Sequence, residues 1–166
     1  MGENDKMNRY GEKVMKEVVK HFNQLTTAEL YEILKIRAEV FVVEQNCPYQ
    51  DLDEVDKEAY HVWLEEDGKT VAYLRVVDKE KRLNEVSVGR VISLKRRCGL
   101  GSKLMALGLR VAKEKFGATQ VMVGAQTYAK AFYEQAGFVQ ISDEYMEDGI
   151  PHIYMLFDEM QGAGMR

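Results

Sequence analysis

The order of elements along this chain predicts an α/β (α+β) fold: one domain with a mixed central β-sheet flanked by helices. Three observations carry the prediction. Strand-like segments between His61 and Leu94 precede a segment of helical periodicity from about Gly101 to Phe116. A short apolar run, a second helix and closing strands follow, and this succession requires at least one right-handed parallel crossover. The length of 166 residues is that of about one domain with a core of its own.

The first dozen residues are polar, so a flexible arm is expected over 1–13, the domain over 14–160 and a flexible tail over 161–166. A first strand is predicted from Val14 to Phe22. In LTTAELYEILKIRAEVF, Thr26 and Glu29 form a capping box, and Leu30, Ile33, Leu34, Val40 and Phe41 follow helical spacing. VVEQNCPYQDLDEVDKEAY breaks the periodicity and reads as a long loop with room for one helical turn, a length often associated with function. HVWLEE and TVAYLRVV flank Asp67-Gly68, a hairpin signal, and VSVGRVISL forms a further strand from Val86 to Leu94. Leu104, Leu107, Val111 and Ala112 share one face of the next helix. QVMVGA is a short buried strand, TYAKAFYEQA a short helix stopped by Gly137, and VQISDEYMEDGIPHIYMLFD two strands joined through Asp148-Gly149.

Composition narrows the function. Hydrophobic residues make up 46% and charged residues 30%, which disfavours both disorder and a membrane protein. No apolar stretch approaches the roughly 20 residues of a membrane helix, the N-terminus lacks the core of a secretion signal, and Lys6 breaks the myristoylation pattern. A cytoplasmic protein is expected, with no membrane partner. A formal charge of -4 argues against a nucleic-acid partner, since such binding rests on phosphate neutralisation. Cys47 and Cys98 stand apart without ligand-spaced neighbours, so no metal site is expected. Monomer and homodimer both remain open.

Against this acidic background Lys95, Arg96 and Arg97 form a local positive spot in RRCGLGS, where a strand ends and a helix begins. Such a turn presents backbone N–H groups with no partner inside the helix, backed by the positive end of its dipole. It suits a small anion such as a phosphate. The P-loop spacing is absent, and a dinucleotide fingerprint fails because position 104 is Leu. The pattern Arg/Gln-x-x-Gly-x-Gly is met by Arg96, Gly99 and Gly101.

Here the sequence resembles the GNAT superfamily of N-acetyltransferases, whose members cradle the pyrophosphate of acetyl-CoA in this turn. About thirty residues on, AQTYAKAFYEQAGF resembles the second signature of that superfamily, through Gln126, Phe132, Tyr133, Gly137 and Phe138. FVVEQNCPYQDLD, VGRV, GAQTYAKAFY and EDGIPHIYM are similar to its ElaA-like branch, over roughly residues 15 to 158. Arg97 departs from the pattern, since a glycine is common there.

The resemblance implies direct acetyl transfer from acetyl-CoA, a co-substrate, to a primary amine on a small or amino-acid-like molecule. A protein lysine or N-terminus is the alternative acceptor, and a non-catalytic acyl-CoA sensor the alternative role. It assigns the cofactor to Val91, Ile92 and Ser93 through their backbone, to the turn Arg96, Arg97, Cys98, Gly99, Leu100, Gly101 and Ser102, and to Gln126, Lys130 and Tyr133. The chemistry needs a base, because an alkylamine with a pKa of roughly 10 is protonated at neutral pH, and an acid for the departing thiolate. The resemblance points to Tyr133 as the acid. His152 in GIPHIYM is the candidate base, since histidine titrates near neutrality, with substrate orientation as its alternative role. Arg90 is the candidate ligand for a substrate carboxylate, or else the partner of a buried acid such as Glu39 or Glu44. The acidic run DLDEVDKE is either a lure for a cationic acceptor or a solvated face.

Overall fold

The structure, a computed structural model, describes residues 9–10, 15–94 and 99–163. Most of the expected arm, the turn residues Arg96, Arg97 and Cys98, and the last three residues of the expected tail lie outside the described residues. The boundary drawn after residue 160 falls within a short helix, Glu159–Ala163.

Eight strands form one mixed sheet in the order β1-β2-β3-β4-β5-β8-β6, with β7 also paired to β8. They are β1 Lys16–His21, β2 Tyr60–Glu66, β3 Lys69–Val77, β4 Ser87–Ser93, β5 Gln120–Gln126, β6 Phe138–Gln140, β7 Tyr145–Glu147 and β8 Ile150–Asp158. The hairpin β2–β3 closes through Asp67 (φ 52°) and Gly68 (φ 73°). Positive φ at both turn residues is the twist-compatible geometry that Asp-Gly favours. The same chemistry recurs at Asp148 (φ 50°) and Gly149 (φ 76°), between β7 and β8. The closing segment holds three strands where the sequence predicts two: Ser142 Oγ accepts from Tyr154 N at 2.9 Å, which breaks the β8 edge between β6 and β7.

Helix α1 (Thr27–Arg37) carries the predicted capping box, with Glu29 N donating to Thr26 Oγ1 (3.1 Å) and Thr26 N to Glu29 Oε1 (2.9 Å). It ends earlier than its periodicity predicts, widening into π-helical turns over Ala38–Glu44. Its buried face is Ile33, Ile36 and Arg37, while Leu30 and Leu34 are only half-buried. Ile33 and Ile36 pack with Val18, Trp63, Tyr73 and Ile92 on one side of the sheet. Helix α2 (Leu100–Phe116) covers the other side, setting Leu104, Met105, Leu107, Val111 and Ala112 against Val62, Leu74, Val76 and Val88. This crossover from β4 through α2 to β5 is the predicted parallel connection. A 3-10 turn at Thr127–Ala129 leads into α3 (Lys130–Gln135).

Segment 45–59 is held on the sheet by charge. Arg37 and Arg75 are 0% and 1% exposed, so each guanidinium must find acceptors inside the protein. Arg37 donates to Asp51 Oδ2 (2.9 Å) and the Asp51 carbonyl (3.1 Å), and to both oxygens of Asp56 (2.7 and 3.1 Å). Arg75 donates to both oxygens of Asp53 (2.8 and 2.6 Å) and to Asp56 Oδ1 (2.9 Å). His61, buried, donates from Nε2 to the Asp56 carbonyl (2.9 Å), which leaves Nδ1 to accept from the Tyr73 hydroxyl (2.7 Å). Burial also holds its pKa below the ordinary histidine value. The acidic run is therefore not wholly a solvated face: Asp51, Asp53 and Asp56 turn inward while Glu54 and Glu58 stay exposed.

Removing one partner of such a network leaves an uncompensated buried charge, which costs about 3–5 kcal/mol. Arg37→Met is expected to lower unfolding free energy by that amount in urea denaturation, against less than about 1 kcal/mol for exposed Lys57→Met.

Candidate active site

Between β4 and β5 the sheet comes apart. The two strands pair in parallel at Ser87 and Met122, with Met122 N donating to the Val86 carbonyl at 2.9 Å. Beyond that point β4 carries one extra residue relative to β3, since Tyr73 faces Ile92 while Arg75 faces Gly89. The bulge centres on Arg90, whose φ of 53° is unusual for a non-glycine residue and is sustained only by surrounding contacts. A bulge bends its strand, and here the bend opens a cleft of about 910 Å³.

The contacts that sustain Arg90 come from the charged segment. Its Nε donates to Asp51 Oδ1 at 2.7 Å and its Nη2 to the Asp51 carbonyl at 3.0 Å, with Asp53 Oδ2 at 3.5 Å. Tyr49 donates its hydroxyl to the same Asp51 oxygen (3.0 Å) and sets its ring 5.7 Å from the Arg90 guanidinium carbon. Arg90 is thus the partner of Asp51 and Asp53, not of Glu39 or Glu44. Burial tends to raise the Asp53 pKa, but the Arg75 fork and the charges of Arg75, Arg90 and Arg37 outweigh it and hold the group down to about 2.

One end of the cleft meets the start of α2. Gly99 caps that helix in the left-handed conformation (φ 68°) without a side-chain hydrogen bond. The first-turn N–H groups of Leu100, Gly101 and Ser102 therefore have neither an i−4 carbonyl inside the helix nor a side-chain cap. That arrangement fits a phosphate. The Leu100 side chain is buried in the core, which leaves its main chain as the available group. Gly101 has a packing reason as well: a Cβ there would lie 2.7 Å from Cε2 of Phe132, so the Phe132 ring could not keep its place against the first turn of α2. Val91, Ile92 and Ser93 line the cleft from β4 and Gln126 from the end of β5, while Lys130 is not part of its wall.

Tyr133 lines the cleft from α3 and is buried, its ring edge-on to Phe132 (5.1 Å) and Phe138 (5.7 Å). Burial raises its pKa above the ordinary tyrosine value, so at neutral pH the phenol keeps its proton. His152 enters from β8, cross-strand from Gln126. Its Nδ1 donates to the Ile150 carbonyl at 2.7 Å, since a carbonyl can only accept; the neutral ring thus presents its lone pair on Nε2. Glu147 Oε2 stands 3.5 Å from that nitrogen, and Glu147 Oε1 accepts from Arg82 Nη2 at 3.1 Å.

Segment 38–53 completes the cleft. Gln45 and Gln126 exchange side-chain hydrogen bonds (3.3 and 3.1 Å), and Cys47 Sγ reaches the Asp148 carbonyl at 3.5 Å. The structure brings together Arg90, Val91, Ile92, Ser93, Gly101, Gln126, Tyr133 and His152, all predicted from sequence. Sequence reasoning missed Gln45, Tyr49, Asp53, Tyr145 and Glu147, which join them in the lining. The available signal was weak: Asp51 and Asp53 alternate, as two inward-facing residues of an extended segment must. Among the described residues no group of His, Cys, Asp and Glu is disposed to hold a metal, and no helix is long and apolar enough to cross a membrane.

Comparison with known proteins gives the family and the fold. Residues 11–158 match the family model of an acetyltransferase (GNAT) domain. The chain is 37% identical to protein ElaA of Escherichia coli, over 85% of this chain and 95% of that protein. It is 42% identical to a UPF0039 protein of Schizosaccharomyces pombe, over 83% of this chain and 93% of the relative. Among solved structures, an acyl-CoA N-acyltransferase from Pseudomonas aeruginosa superposes with a TM-score of 0.79 at 41% identity, covering 86% of this chain and 99% of that one. Escherichia coli ElaA gives 0.81 at 35% identity, covering 87% and 100%.

The depressed Asp53 pKa predicts a sign for acid stability. An unfolded aspartate titrates near ~3.9 and the folded one at about 2, so the stabilisation is complete above pH ~4 and is lost as pH falls from there toward ~2. Thermal melts across that window are expected to show Tm of the parent protein falling more steeply than that of Asp53→Asn.

Proposed function

The chain belongs to the GNAT acetyltransferase family, and on that footing we propose that it moves the acetyl group of acetyl-CoA directly to the primary amine of a small molecule. The observation that carries the reading is the cleft itself. It runs from uncapped helix N–H groups at one end to an imidazole with a free lone pair at the other, with a buried phenol in its wall. When bound, acetyl-CoA supplies an activated acyl group and a thiolate leaving group.

The first-turn N–H groups of α2 are assigned to the diphosphate, and the sequence motif assigns Arg96, Arg97 and Cys98 to it as well. The bulge frees main-chain groups of Val91 and Ile92 from the β5 ladder and leaves them available for the pantetheine amides and the thioester oxygen. Gln126 faces the same arm. His152 Nε2 takes one proton from the arriving ammonium, and Nδ1–H on the Ile150 carbonyl holds the ring so that Nε2 is the accepting atom. As the C–N bond forms and the C–S bond breaks, Tyr133 gives its proton to the departing sulfur. The second proton shed by nitrogen restores the phenol, and one proton leaves through His152. Glu147, 3.5 Å from Nε2, stabilises the imidazolium in between. The free thiol Cys47 and the acyl-CoA requirement support a cytoplasmic setting.

Coupled release of free CoA over a panel of primary amines tests the reading. Tyr133→Phe is expected to lower kcat by about 10²–10⁴-fold with acetyl-CoA affinity unchanged, and His152→Gln by a similar factor. Binding of acetyl-CoA with no CoA release from any amine, indifferent to Tyr133→Phe, would make the protein a sensor instead.

A further inference from the structure

Among the described residues three arginines line the cleft, Arg75, Arg82 and Arg90, and each already holds a carboxylate of the protein. Arg90, the natural ligand for an anionic substrate group, spends Nε on Asp51 Oδ1 and Nη2 on the Asp51 carbonyl. Asp51 is only 4% exposed and also serves Arg37, so it cannot swing into water to make way. A substrate carboxylate reaching Arg90 would meet the charge of Asp51 at hydrogen-bond range with little solvent to screen it. Arg75 is closed in the same manner by the two oxygens of Asp53.

Among the described residues the acids that line the cleft are Glu44, Asp53, Glu147 and Asp148, of which Asp53 and Glu147 hold Arg75 and Arg82. Glu147 is the acid beside the candidate base: its Oε2 faces His152 Nε2, and its bond to the half-exposed Arg82 is open to solvent. The wall there is also aromatic. Tyr145 makes ring contacts with His152 (5.8 Å) and Tyr154 (4.6 Å), and Tyr49 covers Arg90 from the same cleft. Aromatic faces and a carboxylate bind an ammonium group and an apolar body.

We infer that the acceptor is a cationic amine bearing no carboxylate beside its amino group, and that Glu147 is the residue that selects it. The ammonium docks between Glu147 and His152, its carbon skeleton lies against Tyr145, and the Arg90–Asp51 pair rejects α-amino acids. This rests on the acyl-transfer reading of the cleft, and it replaces the amino-acid-like acceptor that Arg90 suggests in the sequence alone.

Matched pairs differing only in the α-carboxylate test it: phenethylamine and phenylalanine, tyramine and tyrosine, histamine and histidine. Binding to the protein–CoA complex is measured by calorimetry, and transfer by CoA release. In each pair the amine is expected to bind at least about 10-fold more tightly and to show at least about 10-fold higher kcat/KM. Glu147→Gln is expected to raise KM for the amines about 10-fold while leaving CoA affinity intact. Asp51→Asn, checked for folding by its thermal melt, is expected to shift the preference toward the amino acids by releasing Arg90. Amino acids bound as well as or better than the amines, or no binding by any of the six compounds, overturns the inference. So does Glu147→Gln without effect on the amines. Selective amine binding with no CoA release would leave this inference standing and remove the acyl-transfer reading alone.

Discussion

The active cleft depends on an obligation created by two buried guanidiniums. Arg37 projects from the inner face of α1 and Arg75 from the middle of β3, and neither reaches water. Their charge can be compensated only by anions brought to them, and segment 45–59 brings three: Asp51, Asp53 and Asp56. Measured against an apolar core, such a network adds little net stability, because desolvation offsets the attraction. What it supplies is geometry. Each aspartate is bonded to at least two arginines, so the segment cannot slide along the sheet without stranding a charge.

The same network reaches the chemistry through Arg90. Its left-handed backbone is costly for a residue with a Cβ, and the Asp51 carboxylate and carbonyl hold the side chain that this conformation aims at them. The bulge turns β4 away from β5 and so frees main-chain groups that a regular parallel pair would consume. On the far wall, the β5–β8 register sets Gln126 opposite His152, and the tight turn at Asp148-Gly149 brings Glu147 back to the histidine. Gln45 then closes the gap by pairing with Gln126. Packing, charge and main-chain geometry thus act on one site from three separate segments.

Tyr133 and Gly101 belong to one packing unit. Phe132 occupies the space a side chain at Gly101 would need, which seats α3 against the first turn of α2 and carries Tyr133 into the cleft wall. A glycine that sequence reading assigns to ligand approach therefore also serves helix packing. Both uses require the same absent Cβ, which is why the motif alone could not separate them.

The sequence by itself determined the elements whose rules are local. The Thr26–Glu29 capping box, the Asp-Gly turns, the apolar face of α2 and Gly99 at its start all depend on neighbours within a few residues, and each stands where those neighbours predict. The family signatures, being short and in order, singled out Tyr133, Gln126 and Gly101, which line one cleft in the structure. Only the tertiary structure decided the partners of Arg37, Arg75 and Arg90, the early end of α1 and the position of Glu147 beside His152. The Arg90–Asp51 pair spans 39 residues and the Arg82–Glu147 pair 65, and no sequence spacing encodes a charge pair. Charges of opposite sign attract wherever the fold brings them together, so their partners follow from the arrangement of the chain in space.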